Sequence, residues 1–140
     1  MGDKIHTTNY YNTFIEIAGD SKAEAAIIPK SKGKGKTVAE MQFELISKNP
    51  YKFTSDDVLF CVYAERNDIA KTEQNAERTK FFSKGQACLR ASPLTKKYGF
   101  GLHSDMDGKI ALYGVETEKY HQFLTNPDVK KVKAMRSAKK

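Results

Sequence analysis

The chain has 140 residues, and the side chains suited to chemistry gather in three places. The first is the run YGFGLHSD, residues 98–105. Of the three histidines, His6, His103 and His121, only His103 stands in a strand-like run with an acid, Asp105, close by. Imidazole is the side chain that exchanges protons near neutral pH, so His103 is the catalytic candidate. Ser104 adjoins it, but serine, histidine and aspartate next to one another in sequence are no triad, whose members meet across a fold. In an alternating strand Gly99, Gly101 and His103 share a face, and two glycines on one strand face mark close approach to the backbone. A packed helix, the Tyr113 ring or a ligand would each fit. With Lys109 and Tyr113 from the following strand, this face is the pocket candidate. The plainer reading is internal packing beside a polar turn.

The second place is KSKGKGKT, residues 30–37, between a predicted strand and a predicted helix. Gly35, Lys36 and Thr37 match the end of a Walker A motif, but Lys30 stands where its first glycine belongs, so a nucleoside-triphosphate hydrolase is not expected. A looser anion site made by Gly33, Gly35, the lysines and the helix start is compatible with the run, and a solvated loop is the plain alternative. The third place is the C-terminal end. Lys30, Lys32, Lys34 and Lys36, with Lys130, Lys131, Lys133, Arg136, Lys139 and Lys140, carry more than the whole net charge of +7, so the body of the chain is mildly acidic. Clustered positive charge is what neutralising phosphates requires, although a charged tail can also simply stay in water. With Arg90, Lys96 and Lys97, these residues form the predicted polyanion-binding set. Asp56 and Asp57 look like paired carboxylates, but acids in the first turn of a helix are explained by its dipole.

The elements that must hold these residues follow from pattern. TFIEIA, residues 13–18, reads as a strand, 19–22 as a turn, and AEAAIIP, 23–29, as a returning strand ended by proline. Residues 37–48 form a predicted helix with Val38, Met41, Leu45 and Ile46 near one face, stopped at Asn49–Pro50. Thr54 or Ser55 starts a second helix, VLFCVYAE, apolar on most sides. After a polar loop, 77–84 reads as a helix ended by Gly85, and 86–92 as a strand with Arg90 exposed. Residues 98–115 form a hairpin. A five-residue loop over 104–108 sets Leu102 opposite Ile110, Phe100 opposite Leu112 and Tyr98 opposite Gly114. Residues 117–125 read as a helix with Tyr120, Phe123 and Leu124 on one face. Asn126, Pro127 and Asp128 then start a last helix that docks Val129, Val132 and Met135. The expected fold is α+β: a small, mainly antiparallel sheet of about four or five strands with helices packed mainly on one face. The expected organisation is a flexible N-terminus over 1–12, a single domain over 13–126, and a basic C-terminal helix and tail over 127–140.

The run FFSKGQACLRASPLTKKYGFGLHSDMDGKIALYGV, with TSDDVLFCVYAERNDI upstream and KAMRSAKK at the end, resembles a small bacterial family known only as a domain of unknown function. The resemblance covers nearly the whole chain. It implies a complete bacterial chain and brings no catalytic or binding residue with it.

Cys61 and Cys88 stand far apart in sequence and read as small core residues, with neither a redox pair nor a metal site expected. No apolar run approaches the roughly 20 residues of a membrane span, and the N-terminus lacks a signal peptide's apolar core, so a cytoplasmic protein with no membrane partner and no cofactor is expected. The sequence names no activity. Its first reading is a non-enzymatic protein that contacts nucleic acid or another polyanion through its basic loop and tail. A small enzyme or ligand-binding domain with its pocket on the Gly99, Gly101, His103, Lys109 and Tyr113 face is the alternative. A protein-interaction module is a third.

Overall fold

The structure, a computed structural model, describes residues 6–30, 33 and 35–136. Lys32, Lys34, Lys139 and Lys140 of the predicted basic segments therefore lie outside the described residues. Four strands, β1 (Thr13–Glu16), β2 (Phe100–Ser104), β3 (Ile110–Gly114) and β4 (Lys130–Lys133), make one sheet in the order β3-β2-β1-β4. β2 runs antiparallel to both β1 and β3, while β4 runs parallel to β1. Five helices accompany the sheet among the described residues: α1 (Val38–Ser47), α2 (Ser55–Arg66), α3 (Gln74–Phe82), α4 (Pro93–Lys96) and α5 (Glu118–Thr125). The fold is α+β.

Alternation along the strands decides what each face packs against. Ile15, Phe100, Leu102 and Ile110 join Ala39 and Ile46 of α1, Val58 of α2 and Leu94 of α4 in the larger core. Phe14 points the other way and packs with Tyr120 and Phe123 of α5 and with Val129. Most helices thus gather on one face, and α5 alone closes the other. Side-chain caps mark the starts of four helices. Thr37 accepts from Glu40 N–H, Thr54 and Asp57 form a capping box, Ser92 precedes Pro93 in the first turn of α4, and Thr117 accepts from Tyr120 N–H.

Several sequence expectations need correction. The predicted C-terminal helix is strand β4: its backbone fills the edge of β1 that β2 leaves vacant, with Lys130 N–H bonded to Asn12 O at 3.1 Å and Ala134 N–H to Glu16 O at 2.9 Å. Asn126 and Pro127 begin a turn, in which Asn126 Oδ1 accepts from Asp128 N–H. With both edges of β1 occupied, residues 23–29 have no strand to pair with. They run as irregular chain across the end of β2 and β3, pinned by Ile27 N–H to Tyr98 O at 2.9 Å. Residues 86–92 are not a strand but lead into a short 3-10 turn, Leu89–Ala91. The β2–β3 pairing sets Leu102 opposite Leu112 and Ser104 opposite Ile110, two residues from the expected register. The loop is drawn tight around Asp105, whose Oδ1 accepts from both Asp107 N–H and Lys109 N–H, with Gly108 at φ +80°. A shift of two leaves every side chain on its predicted face. Within the segment 6–12, His6 N–H bonds Phe82 O and Thr8 is buried. Cys61, expected in the core, is exposed on α2, and Cys88 is half-buried beside the Tyr10 hydroxyl.

Candidate functional site

Three of the five residues of the predicted pocket meet on the α5 face, around a residue that the sequence reading missed. Gly101 pairs with Tyr113 and His103 with Ala111. The His103 ring stacks on Phe123 with centroids 4.2 Å apart. Its Nδ1 lies 2.8 Å from the Tyr51 hydroxyl, which lies 2.7 Å from the Tyr113 hydroxyl, so one hydroxyl serves two partners. Tyr51 is held in the left-handed region, φ 59°, by the turn after α1, where Tyr51 N–H bonds Ile110 O and Ile110 N–H bonds Phe53 O, each at 2.9 Å. A bulky side chain rarely adopts that conformation and keeps it only where its surroundings fix it.

The electrostatics of this cluster favour its neutral form. Burial lowers the His103 pKa, with Lys119 adding to the effect and Asp105 opposing it. Burial, followed by the bond to Tyr113, pushes the Tyr51 hydroxyl well above the ordinary tyrosine range. A tyrosine held protonated is the reverse of what a proton-abstracting phenol needs. Space is short as well. A Cβ on Gly101 would meet Phe14 Cζ in hard overlap and Tyr120 Cε2 at 2.6 Å, so the room that glycine leaves is filled by rings of the chain itself. Gly99, at φ +80°, lies against the backbone of Ala25, where a Cβ would come 2.9 Å from Ala25 O. Lys109 is drawn into the Asp105 loop through its backbone.

The predicted basic set divides. Arg90, Lys133 and Arg136 meet at the corner where the C-terminal ends of β1 and β4 leave the sheet. Arg90 Nε donates to Lys133 O at 2.7 Å, Met135 N–H donates to Arg90 O at 2.8 Å, and Arg136 Nε lies 3.9 Å from the position of a Cβ on Gly19. Ala18 N–H bonds Thr95 O at 3.0 Å, which brings the half-buried Lys96 and the exposed Lys97 to the same end of the sheet. The bond from Ile27 to Tyr98 adds the exposed Lys30, three residues further along. Three other members stand apart. Lys36 pairs with Glu44, each drawing the other toward its charged form. Lys131 Nζ donates to Asn126 O on the α5 side, and Lys130 begins β4 at the hairpin end of the sheet.

Asp56 and Asp57 have structural partners. Asp57 completes the capping box and pairs with Arg78 at 2.9 Å. Asp56 holds the N-terminal segment, accepting from Thr8 N–H, Thr8 Oγ1 and Thr7 Oγ1, each at 2.7 Å. Beside them opens a cleft of about 520 Å³ lined by His6, Asn75, Arg78, Thr79 and Phe82, which no local motif announces. No helix among the described residues is long and apolar enough to cross a membrane.

No curated protein and no solved structure matches the chain. Residues 5–140 match the model of a family of unknown function, and the chain therefore belongs to that family, DUF6157.

Proposed function

We propose that this protein is a non-enzymatic, cytoplasmic bacterial protein that binds nucleic acid or another polyanion at the basic end of its sheet. The observation that carries the reading is the meeting there of Arg90, Lys133 and Arg136 from two distant segments, with Lys30, Lys96 and Lys97 along the same end. Charges gathered from separate segments onto one surface reach several phosphates at once, whereas a solvated tail holds its charges in no fixed relation. The filled space over Gly101 and the neutral His103 cluster weigh against the pocket alternative.

Deleting the basic end is a poor test, because residues 130–133 belong to the sheet and their loss would expose an edge of β1. Charge reversal is cleaner. The Arg136→Glu, Lys133→Glu double variant of the full chain is titrated against single- and double-stranded nucleic acid over a range of salt. The expected result is binding that weakens steeply with salt in the native protein and falls by more than tenfold in the variant, since each lost phosphate contact lowers the salt slope by about 0.9 on duplex DNA. Binding that is flat with salt, or equal in the two proteins, would overturn the proposal.

A further inference from the structure

The basic end also carries an adjacent pair of exposed aliphatic side chains. Ile27 is 59% exposed and Ile28 is 56% exposed. Single exposed apolar residues are ordinary, but two neighbouring β-branched residues turned to water cost solvation that a folded chain normally recovers by packing. They are not on a fraying strand. Ala26 N–H bonds Glu116 Oε1 at 2.8 Å, Ile27 N–H bonds Tyr98 O at 2.9 Å, and Pro29 just beyond is buried. The backbone is thus anchored on both sides of the pair while the side chains face outward. Exposed Lys30 follows it directly, and Lys96 and Lys97 lead into Tyr98, to which Ile27 is bonded. Arg136 and Lys133 lie across the same end of the sheet, whose four strands span about 14 Å at the usual strand spacing. Glu116 is engaged by Ala26 N–H, and the exposed Glu24 precedes the pair on the same segment.

We propose that the polyanion met by this end is the surface of an anionic phospholipid bilayer, with Ile27 and Ile28 entering below the headgroups and Lys30, Lys97 and Arg136 lying among the phosphates. This rests on the polyanion reading and deepens it. Aliphatic side chains stack poorly on bases, so a nucleic acid would leave the pair in water, whereas a bilayer offers hydrocarbon directly beneath a layer of negative charge. The cations along this end account for the choice of an anionic bilayer over an apolar protein groove. Surface attachment of this kind needs no membrane-spanning helix, so it revises the expectation of no membrane partner without calling for a span.

The test uses the full chain and vesicles of phosphatidylcholine, alone or mixed with phosphatidylglycerol. The native protein should sediment with the mixed vesicles, release with salt, and ignore phosphatidylcholine alone. The Ile27→Ser, Ile28→Ser variant should bind mixed vesicles about tenfold more weakly while its affinity for nucleic acid is unchanged. The Lys30→Glu, Lys97→Glu variant should lose vesicle binding. The native chain contains no tryptophan, so Ile28→Trp supplies a single reporter whose emission should shift to the blue on mixed vesicles. Salt-dependent binding to nucleic acid without vesicle binding would sink the bilayer proposal and leave the polyanion reading standing, while failure to bind either would end both. Vesicle binding equal in the native and serine proteins, or concentration-dependent self-association that the serine variant abolishes, would assign the isoleucines another role and overturn the inference.

Discussion

The α5 face around His103 and the basic end around Arg136 differ in what they offer and in what can reach it. The α5 face holds the residue types most often used in chemistry, a histidine and two tyrosines joined through one hydroxyl, yet they are half-buried, with the His103 ring stacked on Phe123 and the space over neighbouring Gly101 filled by rings of the chain. The basic end holds plain lysines, arginines and two isoleucines, and nearly all of them face water. Side-chain chemistry alone would rank the first region higher. Access reverses the order: a hydrogen-bonded, desolvated cluster contributes to stability, and an exposed charged surface contributes to encounter. Substitutions on the α5 face should therefore change stability and spare binding, while substitutions at the basic end do the opposite.

The largest effect on the α5 side belongs to Gly101→Ala. Alanine is ordinarily preferred over glycine within a strand by roughly 0.5–1 kcal/mol. Here the added Cβ overlaps Phe14 and Tyr120, both buried, and overpacking of this kind costs about 1–3 kcal/mol, which decides the sign. Urea denaturation should show a loss of stability toward the upper end of that range, with polyanion affinity of the folded protein unchanged. A stabilised variant would mean that α5 yields easily and that the face is open to ligands after all. Next comes Tyr51→Phe. Removing the shared hydroxyl leaves His103 Nδ1 and the Tyr113 hydroxyl without their common partner in a half-buried site, a loss of about 1–2 kcal/mol readable in the same experiment. No loss would mean that water replaces the hydroxyl freely, and the cluster would then be more accessible than its packing implies.

What the sequence discloses about these two regions follows the range of the forces involved. Helix starts are local, and Thr37, Thr54 and Thr117 could be read because each cap lies within three residues of its partner. Strand faces are also local: alternation put Gly101 and His103 on one face even though the register was off by two. Strand β4 was misread because its pattern suits both states. Val129, Val132 and Met135 repeat at helical spacing, while Val129 and Ala134, on opposite sides of a strand, reach the two separate cores. The vacant edge of β1 settled the matter, and that edge is a property of the assembled sheet. Tyr51 was invisible for the same reason, standing 52 residues from His103 in a left-handed turn that no periodicity signals. The basic end was legible in its residues but not in its grouping, since Arg90 reaches Lys133 across 43 residues.

The smallest effect concerns pH. In the unfolded chain a histidine takes up its proton near pH 6.5, whereas burial holds the folded-state pKa of His103 below that. Between the two values the unfolded chain binds more protons, so stability is unimpaired above about pH 6.5 and declines as the pH falls through the folded-state value. The carboxylates whose pKa is lowered, Glu44, Asp57 and Glu116, titrate further down and leave a window near pH 5–7.5 largely to histidine. Urea midpoints across that window should fall with acid in the native protein and fall less in His103→Gln, with nucleic-acid affinity at fixed salt unaltered by the substitution. If His103→Gln instead weakened binding as much as Arg136→Glu, the closed face and the open end would act as one site, and the separation drawn between them would fail.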